Sequence, residues 1–142
     1  MTTHHATRAG RQFFLYAWVA PASAVGLLPG VCALLAGAQA ARVDGVLELS
    51  GGPLTKGLGF MGIRAITFGH VVLGQSPTLL AALRRHEHTH VRQYERWGLL
   101  FFPLYAASSL WQWGCGRDAY RDNCFEREAF GADDSGPSSS AP

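Results

Sequence analysis

The chain has 142 residues, 48% hydrophobic and only 15% charged, which bounds it to one small domain and is greasy for a soluble protein. A net charge of +2, from 12 Lys plus Arg against 10 Asp plus Glu, leaves no basic footprint for nucleic acid. The 3 cysteines show no metal-ligand spacing, so a Cys-based zinc site is excluded as well.

Residues 1–12 are polar and basic and read as a mobile N-terminus, in which His4 and His5 are incidental. From Phe13 to Ala41 there is no Asp, Glu, Lys or Arg, a run longer than the roughly 20 residues a helix needs to cross a bilayer. This segment, 13–41, is expected to be a transmembrane or membrane-embedded helix. A cleaved signal peptide is the competing reading, since Arg8 and Arg11 precede the run and Ala38-Gln39-Ala40 resembles a cleavage site; the run is longer than an ordinary signal core. Pro21, Pro29 and Gly30 interrupt it, which permits one kinked span or a helical hairpin dipping into one leaflet. Basic residues flank it on both sides, so its orientation stays open. Cys32, inside the run, reads as a small buried hydrophobe.

Residues 42–131 are expected to form the one folded domain that follows the membrane segment. Val43 to Ser50 mixes apolar and charged residues as a strand does, stopping at Gly51-Gly52-Pro53. Ile63 to Leu73 reads as a second strand, with Ile66, Phe68, His70 and Val72 on one face by alternation. Gly69 weakens its middle, or marks a bulge or a close backbone approach. A lone strand histidine such as His70 is more often a hydrogen-bonded structural residue than a ligand.

Ser76-Pro77 has the form of a helix start, Ser as N-cap and Pro at the first helical position, and the helix is expected to run to Trp97 and end at Gly98. Its inward stripe is Leu79, Leu80, Leu83, His86, His90, Tyr94 and Trp97. His86, Glu87 and His90 stand in it as H-E-x-x-H. Residues 86 and 90 are one turn apart on the same face, so two imidazoles can converge on one Zn2+ ion, and Glu87, about 100° round the helix, is placed to act as a general base. His88 is expected to point elsewhere. Arg84, Arg85, Arg92 and Arg96 on the same helix read as a solvated face.

Leu99 to Trp113 is short for a span and carries Pro103, so it reads as a buried core helix or an interfacial one, with Trp residues suited to a membrane boundary. Cys115 and Cys124 form a disulfide only if the domain faces an oxidising compartment. A short helix is expected over Phe125 to Phe130, and residues 132–142 read as a disordered tail. A catalytic zinc site takes three protein ligands, and the third is sought in this last helix. Glu126 shares a face with Phe130 and turns inward, although Asn123 to Glu126 also fits a capping box in which Glu126 bonds back to the N-cap amide. In that case Glu128 is the alternate ligand.

The run His86-Glu87-His88-Thr89-His90-Val91-Arg92-Gln93, followed by Glu126-Arg127-Glu128-Ala129, resembles the H-E-x-x-H zinc metallopeptidases of the glutamate-ligand kind, the zincins. It is particularly similar to small bacterial membrane-associated peptidases with H-E-x-x-H-x-x-Q and a later E-x-E-A. The resemblance covers residues 63–130. It implies a small α+β, zincin-like domain in which a short β-hairpin or edge strands pack on the H-E-x-x-H helix, with the edge strand binding substrate backbone. It also implies His86, His90 and Glu126 as zinc ligands, Glu87 as catalytic base, a peptide or protein substrate, and a place in a bacterial inner membrane. Relatives carry Asp four residues after the ligand Glu to orient a histidine; here that position is Phe130, so the orienting partner is missing or comes from elsewhere. The alternative is a non-catalytic membrane protein with a structural or regulatory His/Glu metal site.

Overall fold

The computed structural model describes residues 3–135, in an α+β arrangement of five α-helices and one four-stranded mixed sheet. Helix α1 (Thr3–Leu35) is continuous through Pro21 and Pro29. It is therefore not a hairpin, and it begins well before the expected residue 13: residues 3–12 are helical. It also ends early, because Gln39 to Ala41 already belong to strand β1 (Gln39–Val43). From Gly10 to Leu35 it is long and apolar enough to cross a membrane, by length and composition.

The segment read as one strand over Val43 to Ser50 is a hairpin arm. Asp44 (φ 50°) and Gly45 (φ 83°) make a two-residue turn between β1 and β2 (Val46–Ser50), and Asp-Gly is a pair that tolerates two successive left-handed residues. A short helix α2 (Gly52–Gly57) and a 3-10 turn (Leu58–Met61) follow. The expected strand over 63–73 is also two strands, β3 (Ala65–Phe68) and β4 (Val71–Gly74), folded back at Gly69-His70. The turn resets the alternation: Ile66 and Phe68 do share a face, but with Val71 and Leu73, whereas Val72 points to the opposite side and His70 belongs to neither strand. Gly69, at φ 59°, lies where an added Cβ would collide with Ser23 and Val19 of α1, a close backbone approach.

Strand order is β1-β2-β4-β3, with β2 and β4 parallel and both hairpins antiparallel, so β3 is an edge strand. One face of the sheet, with Leu49, Val71 and Leu73, packs on Ala33 of α1; the other, with Val46 and Val72, packs on Leu80 and Val91 of α3 (Pro77–Trp97). This explains why all of β4 is buried. Ser76 caps α3 through Leu79 N (3.2 Å), and Gly98 ends it, as the sequence predicts. Trp97 is half-exposed and leaves the inward stripe. After a 3-10 turn (Gly98–Leu100), helix α4 (Phe101–Gly114) buries only Phe101, so it is not a core helix. The last helix, α5 (Cys124–Asp134), outruns the expected Phe130 and takes in part of the expected tail; residues 136–142 of that tail lie outside the described residues. A third apolar cluster, Val19, Ala22, Tyr94, Phe101 and Phe125, ties α1, α3, α4 and α5 together. The three cysteines are free and exposed, Cys32 included, so no Cys115–Cys124 disulfide is formed.

Candidate metal centre

Two helices build the site. The 3.6-residue period of α3 stacks His86 and His90 on the face turned toward α5, and Asn123 caps α5 by accepting from Phe125 N (3.0 Å), which sets Glu126 opposite them. Glu126 does not fold back on the cap. Its Oε2 lies 3.0 Å from His86 Nε2 and its Oε1 3.4 Å from His90 Nε2, and the two Nε2 atoms are 3.3 Å apart. One donor atom from each of the three falls within 4.8 Å of the others, all buried. Ligands at the corners of a tetrahedron with zinc–nitrogen bonds near 2.05 Å stand about 3.3 Å apart, so these separations fit a small metal ion without rearrangement. Glu128 is exposed and takes no part in the cluster; it accepts from Gln93 Nε2 (2.9 Å) and faces Arg96.

Each candidate ligand is held by a partner on its far side. Gln93 donates through Nε2 to Phe125 O (2.9 Å) and Glu128, so its Oε1 is the acceptor for His90 Nδ1–H (2.8 Å). His86 Nδ1 meets Asp133 Oδ2 at 3.2 Å, and Tyr105 OH donates to Glu126 Oε1 at 2.6 Å. The partner missing at position 130 is thus supplied by Asp133, two helical turns after Glu126, while the Phe130 ring packs on His86 at 4.9 Å. These bonds place a proton on Nδ1 of both imidazoles and turn both Nε2 atoms toward Glu126.

Glu87 is buried beside the cluster, and Thr67 on β3 donates to its Oε2 (2.7 Å). Burial pushes its carboxyl above the usual range, against the Thr67 bond and the nearby His90 and His86. Burial acts on Glu126 in the same direction but is outweighed by hydrogen bonds from His86, His90 and Tyr105, which hold it well below the usual range. For His86 and His90 burial pulls the pKa down, yet Glu126 and the surrounding carboxylates more than offset it and both end raised. The two carboxylates are thereby separated in character, Glu126 shifted toward its charged form and Glu87 toward its neutral one.

The cluster forms the floor of a cleft of about 750 Å³. Residues Gly62 to Phe68, including all of edge strand β3, make one wall, and Phe101, Phe102, Tyr105, Tyr120 and Phe130 make an aromatic one. Burial pushes the phenols of Tyr105 and Tyr120 up, so both stay neutral donors.

The remaining histidines are elsewhere. His88 bonds Glu48 (3.1 Å) on the sheet side of α3, together with Arg84, whose fork holds the same buried carboxylate at 2.8 and 2.9 Å. Arg84 is therefore a pairing residue and not part of a solvated face. His70 bonds Glu95 (3.0 Å) and stays outside the cluster. Three members of the site carry no motif signal: Asp133, Tyr105 and Thr67. Only Asp133 has a trace in the sequence, its spacing of two turns from Glu126 on one helix face. Comparison with protein-family models, with characterised proteins and with solved structures returns no match to this chain.

Proposed function

We propose that the chain is a membrane-associated zinc-dependent peptidase of the zincin type, with His86, His90 and Glu126 as the zinc ligands and Glu87 as the general base. The observation that carries this reading is the division of labour on each ligand. One heteroatom is tied to Asp133, Gln93 or Tyr105, and the other is turned to a common point beside a buried carboxylate of raised proton affinity. Zinc bound there would polarise a peptide carbonyl and acidify water. Glu87 takes the proton from the attacking water and returns it to the leaving amine, held in place by Thr67. Edge strand β3 offers unpaired backbone groups along the cleft, suited to an extended peptide added as a further strand. The aromatic wall favours apolar side chains.

The alternative is a metal site without turnover, with Glu87 idle. Glu87→Gln separates the two. It keeps the carboxylate's shape and is expected to retain zinc while losing about 10²–10⁴-fold in hydrolysis of a mixed peptide library followed by mass spectrometry. Wild-type turnover in that variant would remove the catalytic assignment. No cleavage by the zinc-loaded wild type would leave the metal-only reading.

A further inference from the structure

We infer that α1 does not cross a membrane but lies in the plane of one, its outer face seated in lipid together with the turn and helix that follow α3. The inference is independent of the peptidase reading.

Docking on the sheet occupies one side of α1 over most of its apolar length. Val19, Ala22, Gly26, Gly30 and Ala33 form the stripe; Gly26 abuts Phe68 and Val71, Gly30 abuts Leu49, and Ser23 Oγ accepts from His70 N–H (2.9 Å). From Val19 to Ala33 this contact spans about 21 Å at 1.5 Å per residue. Were α1 to span a bilayer in this packing, the sheet would share its depth, placing the open edge β1, exposed over residues 39–42, in hydrocarbon. Unpaired strand edges are not tolerated there. The buried Glu48–Arg84 pair would go with it.

The other side of α1 has no partner among the described residues and no charge from Phe13 to Leu35. Phe13, Phe14, Leu28, Val31 and Leu35 are all exposed on it, an apolar face of the kind that marks an interaction or membrane surface. It continues into the rest of the fold where Trp18 packs against Gly98, next to exposed Leu99 and Leu100. What points to lipid and not to a second copy of the chain is the tryptophans. All 4 are exposed: Trp18 at 48%, Trp97 at 38%, Trp111 at 69% and Trp113 at 72%. Tryptophan in that state belongs at a headgroup boundary, and α1 carries no Asp, Glu, Lys or Arg from Phe13 to Leu35 to pair with a charged partner. α4 connects this surface to the cleft, since Tyr105 and Phe102 face the cleft while Leu110 and Trp111 face outward.

The test uses the full chain with Cys32, Cys115 and Cys124 changed to Ser and one cysteine restored, Gly10→Cys at the start of the apolar run or Arg42→Cys after it. Sealed right-side-out and inverted membrane vesicles from expressing cells are treated with a membrane-impermeant maleimide. In-plane seating predicts that both positions label in the same vesicle preparation. Labelling in opposite preparations means α1 spans and overturns the inference. A second arm adds purified chain to phosphatidylcholine vesicles in high salt. Co-sedimentation with a blue shift of tryptophan emission is expected, and Leu28→Glu with Val31→Glu, both pointing away from the fold, should weaken it about tenfold or more. A discrete dimer that ignores the vesicles, or binding unchanged in the double variant, overturns it as well.

Discussion

Asp133 is the residue on which the candidate centre differs most from its motif. Its carboxylate holds His86 Nδ1 from a position three beyond Phe130, where helix α5 has turned back to the same face. Asp133→Ala is expected to weaken zinc binding about 10–100-fold, as loss of a ligand-orienting partner does, and Glu128→Ala to leave it nearly unchanged. Competition titration with a zinc chelator measures both, and equal affinity in Asp133→Ala would dismiss the orienting role. A pH dependence follows from the histidines. Their folded-state pKa values are raised above the ordinary 6.5 by Glu126 and its neighbours. That stabilisation is complete below 6.5 and is lost as pH rises through the raised values. Zinc bound there would compete with the same protons, so its affinity is expected to rise over that window. Thermal unfolding should therefore show the zinc-free protein losing Tm as pH rises through it, and the zinc-loaded protein gaining relative to it.

At the scale of elements, the closeness of α1 to the sheet rests on residues without side chains. A Cβ on Gly26 would lie 2.6 Å from Phe68 Cβ and 3.2 Å from Val71 Cβ, whereas one on Gly10 would meet nothing within 4 Å. Helix propensity alone favours alanine at both by up to about 1 kcal/mol. Gly10→Ala should stabilise by about 0.5–1 kcal/mol. Gly26→Ala should instead destabilise by about 1 kcal/mol or more, since the propensity gain is smaller than the overpacking it causes. Unfolding of the two variants in one detergent compares them directly. Stabilisation by Gly26→Ala would mean that α1 stands free of the sheet.

On the scale of the whole molecule, the candidate metal site is a clasp. α3 carries the two histidines and belongs to the core with the sheet, while α5 brings Glu126 and Asp133 from beyond the exposed loop 115–122. Zinc bound across this seam would stabilise the closed arrangement by mass action, about 2.7 kcal/mol at a hundredfold excess over Kd. Removing zinc with a chelator is expected to speed amide exchange in Cys124–Asp134 while leaving Val71–Gly74 protected, and zinc alone should restore it. Uniform loosening of both segments would show that α5 is not a separately held element.

What the sequence determines by itself is local. Ser76-Pro77 and Gly98 bound α3 because capping and φ preferences act within a turn, and the spacing of His86, Glu87 and His90 carries its geometry wherever that helix sits. The inward turn of Glu126 is legible for the same reason, from its place one turn before Phe130. Strand boundaries are not: alternation looks alike in one long strand and in two folded back on each other, and only pairing shows that Gly69-His70 is a turn. That Glu126 meets two imidazoles and not its own cap amide is decided only where the packing of α3 and α5 brings His86 and His90 opposite it. Asp133, Tyr105 and Thr67 come from three different elements, and their convergence depends on how those elements pack. The course of α1 is of the same kind. Composition gives it the length and greasiness of a span, and only its docking on the sheet shows that one side is already occupied by protein.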